Sequence, residues 1–245
     1  MPIPDFVHRN LDALGFEMPP EVLDRLSAYL DLVLDANRTT NLTAIRHREQ
    51  AWGRLIIDSL TPLPGLPDEL DDHQTFRLID IGTGAGLPGV PLAIARPDLD
   101  VTLVESTGKK VAFLNRVVAE LGLKNVTPVQ ARIEDVGQDR GGFRGRGRYD
   151  AAVSRAVGPM PVVLEYSLPL LRVGGRVLAM KGPKAERELA DSGDALAALG
   201  GGDVAVIEAY PASFENELVI VSVIKASATP REFPRLPGVP KKTPL

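Results

Sequence analysis

The densest chemical signal in the chain is Leu78-Ile79-Asp80-Ile81-Gly82-Thr83-Gly84-Ala85-Gly86-Leu87-Pro88-Gly89. A short apolar run ends in a carboxylate, a loop with four glycines follows, and residues 90–95 then read as a helix. Strand, glycine loop and helix in this order bring backbone close to a ligand at the carboxyl end of a sheet. Glu105 closes the next apolar run, Val101-Thr102-Leu103-Val104-Glu105, where a carboxylate can accept both hydroxyls of a ribose. A strand-end Glu can also do no more than cap the helix behind it. The pair points to a nucleoside-containing ligand, and two cofactor classes use such an element. A dinucleotide needs Gly-x-Gly-x-x-Gly directly after the strand. Gly84-Ala85-Gly86-Leu87-Pro88-Gly89 has the letters, but it starts three residues beyond Ile81 and puts Pro88 where the first helical turn should donate N–H groups to a pyrophosphate. The register Asp80-x-Gly82-x-Gly84 needs no such donors.

The elements that must position these residues are legible from periodicity. Residues 1–70 read as helical: Pro19-Pro20-Glu21 is a helix start, and Val22, Leu26, Tyr29, Leu30, Val33 and Leu34 fall on one face. A second helix is predicted over 48–60, and Pro62, Pro64 and Pro67 form a linker ahead of the acidic stretch 68–72. From Phe76 the pattern becomes strands at 76–81, 101–105, 126–130, 149–154, 175–180, 203–208 and 217–224, with helices at 88–95, 108–121, 160–171 and 184–199. Alternation of this kind predicts a doubly wound, mostly parallel seven-stranded α/β sheet with an N-terminal helical extension. The short connection between the last two strands predicts an antiparallel edge. The organisation is therefore an N-terminal helical region (1–70), a ligand-binding α/β domain (71–226) and a Pro-rich basic tail (227–245), whose five prolines forbid regular structure.

Composition prunes the chemistry. There is no Cys, so no disulfide, thiolate zinc site or cysteine nucleophile, and only three His (His8, His47 and His73), too scattered for a metal pair. No apolar run reaches about 18 residues and the N-terminus lacks a signal-peptide pattern, so a cytoplasmic location, no membrane and no metal are expected. A net charge of −4 argues against general affinity for nucleic acid, so any such contact must rest on local clusters. Residues 137–148 hold Arg140, Arg144, Arg146 and Arg148 against Asp139 alone; residues 225–245 hold Lys225, Arg231, Arg235, Lys241 and Lys242 against Glu232 alone. The Gly/Arg-rich stretch reads either as a flexible RNA-binding segment or as a solvated loop. The single Trp, Trp52, is expected to pack the helical region onto the sheet domain.

The Asp80-Ile81-Gly82-Thr83-Gly84 register resembles the first motif of class I S-adenosylmethionine-dependent methyltransferases. Asn41-Leu42-Thr43-Ala44-Ile45, Asp58-Ser59-Leu60, the full glycine loop, Glu105-Ser106-Thr107-Gly108-Lys109-Lys110, Ser154-Arg155-Ala156, Leu178-Ala179-Met180-Lys181-Gly182 and Pro240-Lys241-Lys242-Thr243-Pro244-Leu245 then occur in order. This set resembles the small-subunit ribosomal RNA methyltransferase G family, also called glucose-inhibited division protein B, over roughly residues 35–245. The resemblance implies S-adenosylmethionine as cofactor, 16S rRNA or the small ribosomal subunit as partner with no obligate protein partner, and methylation of guanine N7 in the decoding-region loop. It implies that Asp80, Gly82, Gly84 and Leu87 line the methionine end, Glu105, Ser106 and Thr107 the ribose, and Ile133 and Glu134 the adenine. Arg155 is expected at the mouth, as a cofactor contact and as the catalytic group. Glu134 also reads as an ordinary acidic helix start. The stretch 138–148 is longer and richer in Gly and Arg than the family pattern, so it inherits no role from it.

The residues suit that reaction. N7 of guanine carries a lone pair and no proton at neutral pH, so alignment matters and a general base does not. Cytosine C5 methylation normally needs a Cys. Amino methylation typically uses an Asn/Asp-Pro-Pro-aromatic tetrapeptide, and Ser154-Arg155-Ala156-Val157 stands in that place. Arg155 can donate to guanine O6 or a phosphate but cannot accept an amino proton; its plainer role is an ion pair with Asp80. Candidate RNA contacts are Arg38, Lys109, Lys110, Arg144, Arg146, Arg148, Lys181, Lys241 and Lys242. Two other readings stay open: an NAD-dependent oxidoreductase, and a non-catalytic RNA-binding protein on the same fold.

Overall fold

The computed structural model of the chain describes residues 3–67, 75–210 and 218–245. Its first helices are α1 (Asp5–Ala13) and α2 (Pro20–Ala36). In α2 the buried face Leu23, Leu26, Tyr29, Leu30 and Val33 follows the helical period, and Pro20 sits in the first turn, where its missing N–H costs nothing. The helix expected over 48–60 is continuous but not uniform. Between α3 (Arg48–Ala51) and α4 (Asp58–Leu60) runs a π-helical turn, Trp52–Ile57, in which the Asp58 N–H reaches back five residues to the Gly53 carbonyl.

The strands are β1 (Phe76–Ile81), β2 (Leu99–Glu105), β3 (Val126–Gln130), β4 (Tyr149–Arg155), β5 (Leu171–Lys181), β6 (Gly201–Glu208) and β7 (Val219–Lys225). They form one sheet in the order β3-β2-β1-β4-β5-β7-β6. The first five are parallel, as expected. β7 inserts antiparallel between β5 and β6, so the antiparallel edge is also as expected. Crossovers carry α5 (Gly89–Ala95), α6 (Gly108–Leu121), α7 (Ile133–Gly137), α8 (Met160–Ser167), α9 (Ala185–Ala190) and α10 (Gly193–Leu199). In register Asp80 lies opposite Leu103 and Val153, so the ends of β1, β2 and β4 open on the same side.

The larger departures from the expected elements have local reasons. The helix expected over 160–171 stops at Ser167; Leu168–Leu170 tightens into a 3₁₀ turn around Pro169, and β5 begins at Leu171 rather than 175. The helix expected over 184–199 breaks between α9 and α10, where the Ser192 hydroxyl bonds back to the Glu188 carbonyl. The tail is irregular except for one helical turn, α11 (Val239–Lys242), which the proline count did not suggest. The acidic stretch 68–72 lies outside the described residues.

Apolar side chains form two clusters, one on each face of the sheet. The first unites α1, α2 and a fully buried Trp52 with Leu78, Leu103, Val153 and Leu178. The second joins α8 and α10 to Ile79, Val104, Ala152 and Val177. The tail crosses this second face and is fastened there by polar groups. Arg146 donates to four carbonyls, Nη1 to Gly137 and Phe233 and Nη2 to Thr229 and Pro230, at 2.5–3.0 Å. Gln138 Nε2 bonds the carbonyls of Arg231 and Pro234, and Arg235 makes a bidentate pair with the buried Glu165. Replacing Arg146 by Ala leaves those carbonyls without their donor. It is expected to cost about 1–3 kcal/mol and to speed amide exchange through 229–235, measured by urea denaturation and hydrogen exchange. Unchanged exchange there would mean that the tail is held by other groups.

Candidate active site

Glycines shape the loop behind β1. Gly82, Gly84 and Gly86 have φ of 65°, 60° and 101°, a region closed to most side chains. Gly89 is required for another reason: a Cβ there would lie 2.3 Å from Leu103 Cδ2 and 2.8 Å from Asp80 Oδ2. Asp80 is fully buried at the tip of β1. Its Oδ2 accepts from the Thr83 hydroxyl at 2.6 Å and from the Gly89 N–H at 2.8 Å. Its Oδ1 is buried and unpartnered. Burial pushes the Asp80 carboxyl up to about 7 against the pull of those two hydrogen bonds and of the Arg155 charge; the Glu105 charge adds to the rise.

The Gly89 N–H is the first helical donor of α5, and the Asp80 carboxylate already occupies it. A dinucleotide pyrophosphate would need that position, so the NAD register has no anion site here. The loop is also braced from outside the sheet. Tyr29 on α2 donates to the Ala85 carbonyl at 2.9 Å, and its phenol is held neutral by burial and by the Asp80 charge.

Glu105 ends β2, largely buried. Its Oε1 accepts from the Thr107 N–H at 2.8 Å and lies 3.5 Å from the Ser106 hydroxyl; its Oε2 accepts from the Gly84 N–H at 3.2 Å, and Lys110 Nζ approaches to 3.9 Å. Glu105 thus bonds the N–H of the residue just ahead of α6 and ties the glycine loop to β2. A cleft of about 120 Å³ opens beside it, lined by Gly82, Glu105, Ser106, Ile133, Glu134 and, from the tail, Lys241. Gly84 and Leu87 stay in the loop beside it, both half-buried. Glu134 does more than start α7: its Oε1 accepts from the Tyr166 hydroxyl at 3.1 Å and the Gly238 N–H at 2.9 Å, so the tail closes against the cleft floor.

Arg155 ends β4 and is held at one nitrogen. Nη2 donates to the Arg54 carbonyl in the π-turn at 2.6 Å, while Nη1 is buried and unpartnered. No direct salt bridge to Asp80 forms; the two charges act on each other through space. Ala156, the next residue, has φ of 56°, a strained conformation for a non-glycine residue at the rim of the site. Tyr210, two residues beyond β6, donates to Asp58 of α4, and the Arg54 and Arg155 charges both reach it.

The expected RNA contacts separate into groups. Arg38, after α2, and Lys109, at the start of α6, line one groove with Thr40 and Arg116, although 71 positions separate them in sequence. Lys110 leans toward Glu105. Lys181 is nearly buried and occupied: Nζ donates to the Gly158 carbonyl at 2.7 Å and pairs with Glu188 at 2.5 Å. Lys242 is exposed on α11. Arg146 holds the tail, and Arg144 and Arg148 lie before β4, at the opposite end of the sheet from Arg155. Sequence reasoning missed Tyr29, Arg54, Asp58 and Tyr210. Asp58 stood in a quoted motif, but nothing local marks the other three, whose roles depend on partners far along the chain.

No helix among the described residues is long and apolar enough to cross a membrane, and none of their His, Asp or Glu side chains form a group that could hold a metal ion. Among solved structures, the chain is similar to the S-adenosylmethionine-dependent methyltransferase SibL in its apo form, with 16% identity, 90% of this chain and 73% of that one covered, and a TM-score of 0.53. It is similar to the CurJ carbon methyltransferase, with 12% identity, 69% and 54% covered, and a TM-score of 0.54. The fibrillarin of Aeropyrum pernix, solved with natively bound S-adenosyl-L-methionine, matches at 16% identity over 70% of this chain and 75% of that one, with a TM-score of 0.50. These establish the class I methyltransferase fold. A ribosomal RNA small subunit methyltransferase G from Moorella thermoacetica is 41% identical over 231 residues, 94% of this chain and 93% of the relative. Its namesake from Lactobacillus johnsonii is 38% identical over 242 residues, 99% of each. The sequence profile of the family described as rRNA small subunit methyltransferase G matches residues 22–213. The chain belongs to the rRNA small subunit methyltransferase G family.

Proposed function

We propose that this protein transfers a methyl group from S-adenosylmethionine to N7 of a guanine in the decoding-region loop of 16S rRNA. The observation that carries the reading is the pair of buried, unpartnered polar atoms, Asp80 Oδ1 and Arg155 Nη1, at the carboxyl ends of the neighbouring strands β1 and β4. An unsatisfied buried carboxylate oxygen suits a cation, and an unsatisfied guanidinium nitrogen suits an oxygen acceptor.

The donor set fits the cofactor. Asp80 and the glycine loop would hold the cationic methionine end, Glu105 with Ser106 and Thr107 the ribose, and Ile133 and Glu134 the adenine. When bound, the cofactor supplies an electrophilic methyl carbon on a positive sulfur. The chain's own residues orient and screen. Arg155, fixed through Arg54, presents Nη1 to guanine O6 and so turns N7 toward the reacting carbon. N7 gives up no proton, and no side chain is asked to take one. Arg38, Lys109 and Lys110, at this same end of the sheet, would contact phosphates around the target, with Lys242 on the tail side. Lys181 and Lys241 would act through position, Lys181 on the 158 turn and Lys241 on the cleft wall.

Transfer of labelled methyl from S-adenosylmethionine to small-subunit rRNA lacking the modification, followed by mapping of the product base, tests the reading directly. Incorporation at guanine N7 is the expected result; no incorporation into rRNA or the small subunit would sink it. For Arg155→Ala, kcat/KM on rRNA is expected to fall about 10- to 150-fold, as for a lost hydrogen bond to a charged group, with a smaller change in cofactor affinity. A loss confined to cofactor affinity would move Arg155 to the cofactor side.

Asp80 gives a pH test. Its folded-state value of about 7 lies above the ordinary 3.8, so the stability it contributes is full below about 4 and is lost as pH rises through 7. Cofactor affinity runs the opposite way, because a cation prefers the ionised carboxylate. Calorimetry between pH 6 and 8.5 is expected to show binding that tightens with pH in the parent protein and is weak and flat in Asp80→Asn. Parent binding that does not change with pH would remove Asp80 from contact with a cation.

A further inference from the structure

Strands β1 to β4 begin at the end of the sheet opposite the candidate active site, and the segment 138–148 folds back across them. Together they border a groove of about 480 Å³ whose lining includes Arg77, Asp100, Thr127, Arg144, Arg148 and Tyr149. Arg77, Arg144 and Arg148 are exposed, and none of their guanidinium groups makes a hydrogen bond or ion pair among the described residues. Arg172, at the start of the neighbouring β5, is by contrast paired with Asp150. Asp100 is the single carboxylate in the lining. Asp100, Arg148 and Arg77 all act electrostatically on the Tyr149 hydroxyl, the carboxylate more strongly than either arginine, which gathers two cations and one carboxylate around one point.

The loop that supplies Arg144 and Arg148 is not a loose Gly/Arg segment. Arg146, between them, is consumed by the four carbonyls of the tail clamp. The neighbouring Gly145 lies so close to Val136 that a Cβ would meet its Cγ1 at 2.4 Å, and the Gly145 N–H bonds the Val136 carbonyl. Phe143 packs against the second apolar cluster and also borders the groove. Arg144 and Arg148 therefore stand on a fixed support beside Arg77. Unneutralised guanidinium groups with a threonine hydroxyl among them match backbone phosphates, and Arg holds such oxygens in a bidentate fork. With a net charge of −4 on the whole chain, a polyanion can be attracted only by local clusters of this kind.

We propose that this groove is a second binding site for the substrate rRNA, contacting backbone phosphates remote from the target guanine. The inference rests on the reading of the chain as an rRNA methyltransferase. Along β4, Tyr149 and Arg155 are six residue steps apart, ~20 Å. A nucleotide seated at Arg155 cannot touch the groove, whereas a folded RNA can reach both ends of the sheet. The groove would thus add affinity for long, structured rRNA without altering the methyl-transfer geometry.

The test is the triple variant R77A/R144A/R148A, checked for an unchanged circular dichroism spectrum and melting temperature. Binding to unmodified small-subunit rRNA is measured across a salt series, and methyl transfer is measured on that RNA and on a short hairpin carrying the target loop. The expected result is a KM for the long RNA raised ten-fold or more at unchanged kcat, with hairpin kinetics untouched. The slope of log affinity against log salt is expected to fall by about 2–3, as three phosphates are left without an arginine partner. Unchanged affinity and slope would overturn the proposal, and so would equal losses on both substrates, which would place the arginines at the active site. A defect only on assembled subunits, with naked-rRNA affinity intact, would overturn it in favour of an acidic protein surface. If the parent protein methylates no rRNA, the functional reading itself fails, and the affinity series still reports on the groove.

Discussion

Asp80 holds its carboxylate at the end of β1 without access to water, and its bonds to Thr83 and Gly89 fold the glycine loop around one oxygen. Much else at the active end depends on this. It sets where α5 begins and fills the helix terminus that another cofactor class would use. It also requires glycine at position 89, because side chain and backbone meet there at van der Waals distance. Neighbouring elements then brace the loop: Tyr29 from one side through Ala85, and Glu105 from the other through Gly84. The N-terminal helices are therefore part of the site's construction and share their apolar cluster with the sheet.

The second apolar face has its own polar fastening. Arg146, Gln138 and Glu165 hold the tail along 229–235, and Glu134 takes the Gly238 N–H a few residues later. Glu134 thus meets the tail with the same carboxylate that lines the cleft beside Glu105. Its partner Tyr166 stays protonated under burial and the Glu134 charge, so it remains a donor.

Much of the fold was legible in the sequence because buried parallel strands are short apolar runs and the helices between them keep their period. The strand ends bearing Asp80, Glu105 and Arg155 were readable for the same reason: each is a polar residue that closes an apolar run. Illegible features fall into two kinds. Some are local competitions, such as Ser192 breaking a helix or Pro169 ending one early, where a few tenths of a kcal/mol to a few kcal/mol decide. Others are pairings across the chain. Arg146 reads as one more arginine in a Gly/Arg loop until its four carbonyl partners, 83 to 87 positions away for three of them, are in view. Arg155 was legible as a polar residue at a strand end, but the Arg54 carbonyl that orients it was not, since a backbone acceptor leaves no trace in residue type.

The π-turn at Trp52–Ile57 carries a further consequence for how this protein can vary. A π-turn holds one residue more than the α-helical turn it replaces. Each residue of an α-helix adds about 100° of rotation. Loss of a single residue here would rewind the segment and swing everything on one side of it by that angle. Trp52 would leave the core, or the Arg54 carbonyl would leave Arg155. Side chains along this stretch can be exchanged within the limits of packing, but its length is fixed by a guanidinium 101 positions downstream. Insertions and deletions should therefore be rarer here than the helical appearance of the segment would suggest.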